Sequence, residues 1–248
     1  MARKSHVRRR EPLNLDRVLR AAVELADQVG IEGVSMRRLA QQLDVVPMAI
    51  YKHVAGKEEL LDGMVDVVLG EIAPPDLGLE WKNAVRQRVL SARGVVLRHR
   101  WARTAIESRT HRSPTVLAHM DSVAGLLRGG GLSVDLTHHV MHALGNRIWG
   151  FSPELFDETH RGNTQPTVDA AGQAALMEEA QRRYPHIFAI VMAATSGDAS
   201  EYGCDEDYEF MFALDLLLDG AERLRDLQWR SPRASSPSQR CLTYDKGT

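Results

Sequence analysis

The sequence predicts an all-α fold, and three observations indicate this class. Apolar residues recur at the three- and four-residue spacing of amphipathic helices along nearly the whole chain. No convincing run of alternating β-branched residues, the pattern of a half-buried strand, is found in the sequence. Glycine, proline and polar residues interrupt the periodic segments, most clearly at Gly129-Gly130-Gly131. We therefore expect helices joined by turns throughout.

The first three predicted helices are short and closely spaced. Asn14 is a suitable cap for a helix that ends at Gly30, and Ser35 is a suitable cap for a second helix. A third helix is expected from Pro47, which is tolerated in a first turn, to Val54. Helices of this length are marginal in isolation, so we expect them to pack together.

A longer fourth helix is expected from Lys57 to Ile72, and Pro74-Pro75 ends it. The same periodicity predicts seven further helices, near residues 79–100, 101–109, 114–128, 134–150, 167–183, 186–195 and 206–228. Residues 1–13 are expected to form a basic flexible arm, and residues 229–248 a disordered tail.

The helical chain divides into an N-terminal domain at residues 14–73 and a larger domain at residues 76–228. Residues 1–57 contain eleven Lys and Arg against six Asp and Glu, so this end carries +5, whereas the rest of the chain carries −7. A basic end is typical of a surface that binds a polyanion. A solvated charged face would give the same balance, so charge alone does not decide.

The composition is that of an ordinary globular protein, with 44% apolar and 26% charged residues among 248. The longest apolar run, residues 187–194, is far shorter than the ~20 residues of a spanning helix, and no secretory signal is recognisable. Cys204 and Cys241 are far apart, which indicates neither a disulfide framework nor a CxxC metal site. We expect a reducing cytoplasm and no contact with a membrane.

The break between the second and third helices indicates a helix-turn-helix motif at about residues 35–54. Ile50 and Val54 are four residues apart and can anchor the third helix on the other two. The polar side of the third helix then faces outward and fits the major groove of B-DNA. Candidate DNA contacts are Ser35, Arg37, Pro47, Met48, Ala49, Tyr51, Lys52 and Lys57.

The segment GIEGVSMRRLAQQLDVVPMAIYKHVAGKEELLD, residues 30–62, resembles the DNA-binding domain of the TetR family of bacterial repressors. The resemblance adds His53 to the predicted DNA contacts and places Lys57 on a phosphate. It also implies an N-terminal helix-turn-helix domain, joined by a connecting helix to a ligand-binding and dimerisation domain. A location at the bacterial nucleoid follows from the same resemblance.

The larger domain resembles the ligand-binding domain of tetracycline repressors at Trp81 to Arg100, at Gly131-Leu132-Ser133 and near Gly150 and Glu154. Ile106 stands where those repressors have a metal-ligating histidine. The resemblance therefore implies an effector other than a tetracycline–magnesium chelate, and no cofactor is expected.

The helix at residues 206–228 is apolar on nearly every side. Such a helix is expected to pack one face on its own core and another on a second subunit, together with the helix at 134–150, in an intersubunit four-helix bundle. Burial in the central core of one chain is the alternative. A two-fold homodimer would bind a palindromic double-stranded operator with half-sites ~34–36 Å apart.

A small-molecule pocket is expected to combine apolar walls with a few polar groups. Plain core packing is the alternative for each candidate. His138 and His142 share a helix face at a metal-site spacing, but their further ligands would have to be remote, such as His99, Glu154 or His160, and no metal site is predicted. The candidate pocket residues are Met64, His99, Trp101, Met120, His138, His142, Asn146, Trp149 and Phe151.

The function predicted from these features is that of a ligand-responsive transcriptional repressor, released from its operator by a small-molecule inducer. An activator or an effector-independent DNA-binding protein of the same fold are the alternatives. An enzyme is not expected, because the sequence has no G-x-S-x-G elbow, HExxH motif, P-loop or G-x-G-x-x-G after a strand.

Overall fold

A computed structural model describes residues 12–108, 112–149, 170–194 and 206–232 of the chain. Within these ranges the chain is helical and contains no strand, which confirms the all-α class. The helices are α1 (Leu15–Val29), α2 (Met36–Leu43), α3 (Pro47–Ile50), α4 (Lys57–Gly70), α5 (Trp81–Arg98), α6 (Ala102–Glu107), α7 (Pro114–Gly129), α8 (Val134–Trp149), α9 (Ala170–Arg183), α10 (Pro185–Ala194) and α11 (Glu206–Asp226).

The chain divides into two compact units, residues 1–149 with 217–248, and residues 150–216. The first unit contains α1 to α8 and the C-terminal part of α11. In the second unit α9 and α10 pack against each other and meet at Tyr184, whose N–H donates to the carbonyl of Ala180.

The predicted caps of the first two helices are confirmed. The Asn14 side chain accepts the N–H of Arg17 at 2.8 Å, and the Ser35 hydroxyl accepts the N–H of Arg38 at 3.3 Å. Gly30 ends α1 with a φ of 75°, a conformation that a side chain disfavours, and its N–H donates to the carbonyl of Ala26. These caps satisfy backbone groups that a helix end leaves without intrahelical partners.

Helices α3 and α4 end earlier than the sequence predicted. Regular α3 ends at Ile50, not at Val54, because the N–H groups of His53 and Val54 both donate to the carbonyl of Ile50, at 2.8 and 3.1 Å. Helix α4 ends at Gly70, not at Ile72, because Ile72 donates to Leu69, only three residues back. In both cases a hydrogen bond to the carbonyl three residues back, instead of four, closes the last turn.

One apolar core in the first unit extends from the N-terminal helices into α5 and α6. Its buried side chains come from α1, α2, the α3 turn and α4. Side chains of α5 and α6 belong to the same core. Representative members are Val18, Ala22, Leu39, Ile50, Val54, Leu60, Met64, Val68, Ala92, Val95, Trp101 and Ala102. Helix α4 therefore shares one core with the N-terminal helices and with α5 and α6.

Helix α11 has one buried and one exposed face within the chain. Phe210, Leu214 and Leu218 follow at four-residue intervals and are buried, as expected for one helix face. Phe212 and Leu216 lie between them and are 54% and 59% exposed. The predicted packing of this second face on another subunit stays a prediction.

The turn between α2 and α3 depends on Asp44. Its φ of 54° and ψ of 51° lie in the left-handed region, and the N–H of the following Val45 donates to the carbonyl of Ala40 at 3.0 Å. This is the Schellman arrangement that ends many helices. Asp and Asn tolerate it better than other side chains, whereas β-branched residues do not.

We predict that Asp44→Val lowers the free energy of unfolding by about 1–2 kcal/mol, the cost of a left-handed β-branched residue. Asp44→Asn is the matched control, since Asn adopts the same conformation, and should stay close to the unsubstituted protein. Urea unfolding monitored by circular dichroism measures both. Equal stability of the Val and Asn variants would contradict the assigned turn.

Candidate nucleic-acid interface and the junction behind it

The α3 segment presents one face to the core and the other to solvent. Ile50 is fully buried and Val54 nearly so, whereas Met48 is 68% and Tyr51 47% exposed, and Lys52 is also exposed. The sequence correctly separated the anchoring residues from the outward-facing ones. The result is a short convex ridge with an aromatic, a cationic and a thioether side chain at its surface.

The other predicted DNA contacts lie on α3 itself and on the neighbouring segments of the chain. Pro47 and Arg37 are exposed, and Ala49 and His53 are half-buried beside the ridge. Lys57 is exposed at the first position of α4. Ser35 is exposed as well, with its hydroxyl accepting the N–H of Arg38. Their role in DNA contact stays a prediction.

The described members of the predicted ligand pocket fall into different environments. Met64, His99 and Trp101 are buried, and Met64 and Trp101 are part of the continuous core. His138, His142 and Asn146 are exposed on α8, and Met120 is half-buried on α7. Phe151 and the side chain of Trp149 lie outside the described residues. A pocket formed by this set therefore stays a prediction.

Five polar side chains from three separate segments of the chain meet at the C-terminal end of α1. His99 Nδ1 lies 2.8 Å from a carboxylate oxygen of Asp27, and the Trp101 indole N–H donates to the same carboxylate at 2.7 Å. On its other side, His99 Nε2 lies 3.3 Å from Glu71, which also accepts from Arg98 at 2.7 Å. We call Asp27, Glu71, Arg98, His99 and Trp101 the junction cluster.

The junction cluster links three helices: α1 through Asp27, the end of α4 through Glu71, and the end of α5 through Arg98 and His99. Burial raises the pKa of Glu71, but hydrogen bonds from Arg98 and His99 outweigh it, so the pKa of this carboxyl lies below its usual value. Glu71 is therefore ionised and available for pairing at neutral pH.

Sequence reasoning named His99 and Trp101 as pocket candidates but missed Asp27 and Glu71. One signal was available. Both carboxylates stand at the C-terminal ends of helices, where the helix dipole disfavours negative charge. An acid at such a position is stabilised by a cationic or hydrogen-bonding partner from elsewhere.

A second polar contact joins α5 and α7 to the chain just beyond α4. Arg88 is 9% exposed; its Nη1 donates to the carbonyls of Ile72 at 3.2 Å and of Ala73, and its Nη2 lies 3.2 Å from His119 Nδ1. Burial lowers the pKa of Arg88. Burial, and then the charge of Arg88, lower the pKa of His119 to about 4. His119 is therefore neutral at pH 7.

A cleft of about 650 Å³ lies between α1 and α4. It is lined by apolar residues and by the carboxylates of Asp16, Glu59, Asp62, Asp66 and Glu71, with Arg20 as its cation. None of the predicted ligand residues lines it. Its acidic character makes it a poor surface for DNA phosphates.

Two family models match this chain. The model of bacterial regulatory proteins of the tetR family matches residues 18–64, and the model of the tetracyclin repressor-like C-terminal domain matches residues 74–225. The chain belongs to the TetR family. In this TetR-family chain the first match covers α3 and its exposed ridge, and the second covers α5 to α10 and nearly all of α11.

Individual relatives agree with this family. The HTH-type transcriptional repressor DrrR1 of Streptomyces coeruleorubidus is 36% identical over 220 residues, which are 86% of this chain and 78% of that protein. The tetracycline repressor protein class D of Escherichia coli is 35% identical over 91 residues, 36% of this chain and 42% of that protein.

Solved structures of TetR-family proteins have the same fold. Apo ActR from Streptomyces coelicolor superposes with a TM-score of 0.64 and 26% identity, over 88% of this chain and 99% of that one. ActR in complex with actinorhodin superposes with a TM-score of 0.61 and 25% identity, over 85% of this chain and 97% of that one.

No described helix is both long and apolar enough to cross a membrane. No group of three or more His, Cys, Asp or Glu side chains within the described ranges could hold a metal ion. His138 and His142 do lie together, with ring centroids 4.6 Å apart, whereas Glu154 and His160 lie outside these ranges.

We predict that His119 makes stability depend on pH. Its pKa falls from an ordinary value of 6.5 in the unfolded chain to about 4 in the folded one, so between these values only the unfolded chain takes up the proton. The stability that neutral His119 contributes is complete above pH 6.5. As the pH falls towards 4, the free energy of unfolding decreases by about 1–3 kcal/mol.

The measurement is urea unfolding at pH 7 and pH 5 of the unsubstituted protein and of His119→Gln. The variant should lose less stability on acidification, and the exposed His142→Gln is the matched control. An identical pH dependence of the His119→Gln variant and the unsubstituted protein would refute the role of His119.

Proposed function

We propose that this protein is a ligand-responsive transcriptional repressor that binds a palindromic operator as a homodimer and is released by a small-molecule inducer. The observation that carries the proposal is the exposed α3 ridge on a buried anchor at Ile50 and Val54. The relative DrrR1, which matches most of this chain, is named a repressor. ActR, a neighbour in fold, has been solved with actinorhodin bound, which supports a small-molecule effector here.

The proposed DNA contacts divide by chemistry. Lys52 and Tyr51 are exposed on the ridge and are placed to reach base edges or phosphates in the major groove. Met48 offers apolar contact to thymine methyl groups. Arg37 and Lys57 flank the ridge and would bind phosphates, which fixes the register of the protein without reading the sequence. The proposed contacts are Ser35, Arg37, Pro47, Met48, Ala49, Tyr51, Lys52, His53 and Lys57.

A homodimer is proposed because one short ridge makes few DNA contacts, and two related by a two-fold axis read both halves of a palindrome. The exposed apolar face of α11, with Phe212 and Leu216, supports this proposal. Large apolar side chains exposed together on one helix face often mark an interaction surface.

Helix α4 is the proposed route from effector to DNA. It shares the core with α1 and the α3 turn, and Ser113 at the start of α7 donates to Asp66 on α4 at 2.5 Å. Beyond its end, the Ser91 hydroxyl accepts the N–H of Ala73 at 2.9 Å. An effector that favours a different position of α4 would change the placement of the two ridges, as far as its affinities for the two arrangements differ.

The remaining features of the proposal follow the sequence. The DNA-binding domain is assigned to residues 14–73 and the effector and dimerisation domain to residues 76–228. Most of the predicted arm at 1–13 and of the predicted tail at 229–248 lies outside the described residues, and within the tail Ser231 is buried and bonded to Asp135. The protein is proposed to act by binding, without catalysis, in the cytoplasm at the nucleoid.

We predict that Tyr51→Ala and Lys52→Ala each weaken binding to the DNA upstream of the protein's own gene by roughly 10-fold or more, since each removes a contact worth about 1–3 kcal/mol. A gel shift measures DNA affinity, and analytical ultracentrifugation checks that the oligomeric state is unchanged. Normal DNA binding by both variants would overturn the proposed interface.

The matched controls are Tyr184→Ala and Arg100→Ala, which remove an exposed aromatic side chain and an exposed cation elsewhere in the chain. Both should bind this DNA like the unsubstituted protein. If the controls lost as much affinity as the α3 variants, the loss would reflect general charge or folding and not the ridge.

A further inference from the structure

Arg88 is a buried cation without an acidic partner. Only 9% of the residue is exposed, and its hydrogen-bond partners among the described residues are the carbonyls of Ile72 and Ala73 and the ring of His119. Its buried Nε has no hydrogen-bond partner within the described ranges. A guanidinium cannot lose its proton in a protein, so the charge persists and its burial carries a desolvation cost.

The neighbours of Arg88 do not supply a compensating charge. His119 is neutral at pH 7, and its Nδ1 faces the donor Nη2, so Nδ1 acts as the acceptor and the proton lies on Nε2. Ser122 follows His119 by three residues on the same face of α7, and its buried hydroxyl also lacks a partner in the part of the chain that the structure describes. The described residues of the cluster therefore supply spare donors and no anion.

The surroundings of this cluster are apolar. On α5, Val85 and Val89 flank Arg88 in sequence and are almost completely buried, and on α7 Val123 and Leu126 are buried next to the His119 and Ser122 turn. A site with apolar walls and one cation suits an apolar molecule that carries one acidic group. In such a medium a charge-assisted hydrogen bond is stronger than in water.

We infer that the Arg88 guanidinium binds a carboxylate or similar acidic group on an otherwise apolar effector. This inference rests on the proposed function, because it names the chemical class of the proposed inducer. It adds a residue that the sequence did not suggest, on α5, which also contributes Ala92 and Val95 to the core.

The position of Arg88 connects such binding to α4. The carbonyls that now accept from Nη1 belong to Ile72 and Ala73, directly after α4 ends at Gly70. An anion that binds the spare Nε–H draws the guanidinium away from these carbonyls. Binding therefore weakens one of the bonds that hold the end of α4 to α5, which is the change that the proposed release from DNA requires.

The experiment uses two dyes as probes: anilinonaphthalene sulfonate and N-phenylnaphthylamine, which has the same ring system without the sulfonate. Fluorescence titration measures the affinity of the full chain for each dye. Arg88→Met should lower the affinity for the sulfonate dye by roughly 10- to 100-fold, the range expected for losing a hydrogen bond to a charged group. Binding of the neutral dye should not change.

The matched control Arg100→Met removes an exposed positive charge and should leave both affinities unaltered. Unchanged binding of the sulfonate dye by Arg88→Met, or an equal loss for both dyes, overturns the inference. Displacement of the dye by sodium sulfate at equal concentration also overturns it, since the site would then accept any small anion.

A second measurement does not depend on the folding of Arg88→Met. In the unsubstituted protein, the Nε–H resonance of Arg88, assigned by its absence in Arg88→Lys, should shift on adding the sulfonate dye and stay in place on adding the neutral dye. An unmoved resonance overturns the inference. Gel shifts without dye test the proposed function separately: failure to bind DNA would refute the repressor while leaving the dye results valid.

Discussion

The anchoring of a four-residue helix by two side chains is the interaction on which the proposed DNA interface depends. Helix α3 is too short to be stable alone, and Ile50 and Val54 fix it by entering the core that also holds Leu39 and Leu60. Burying each of these two side chains stabilises the fold by about 1.5–3 kcal/mol. With this face fixed, Tyr51 and Lys52 are held at the surface.

The same core supports the proposal that an effector in the larger domain acts on the DNA-binding helices. Helix α4 packs with α1 and also with α5, α6 and α7, so it cannot shift without changing both sets of contacts. Hydrogen bonds also join the C-terminal end of α4 to α5. Glu71 pairs with Arg98 and His99, and Arg88 donates to the carbonyl of Ile72. This packing supports the proposed role of α4 in coupling the effector site to the DNA-binding helices.

The sequence predicted the features that depend on local chemistry. Asn14 and Ser35 cap helices as expected, because capping needs only one side chain and the turn that follows it. Burial of Ile50 and Val54 followed from their spacing. The predicted end of α3 is wrong because the Ile50 carbonyl accepts two N–H groups, those of His53 and Val54. The types of these residues do not indicate such a bond.

Contacts between distant segments could not be predicted in the same way. Asp27 and His99 are 72 residues apart, and no periodicity relates them. Arg88 sits on a helix whose charged residues look solvated in sequence, and only the packing of α5 on α7 and on the end of α4 buries it. Such polar groups became visible only when the burial and partners of each side chain were known.

Position-specific cleavage of operator DNA tests the central claim most directly. Met48→Cys, in a chain with Cys204→Ser and Cys241→Ser, is labelled with an iron chelate that cuts nearby DNA. We expect two groups of cuts across the major groove, centred about one helical turn (~34–36 Å) apart, and none from the exposed position Asn83→Cys on α5. Cleavage without position preference, or equal cleavage from both labels, would contradict the account.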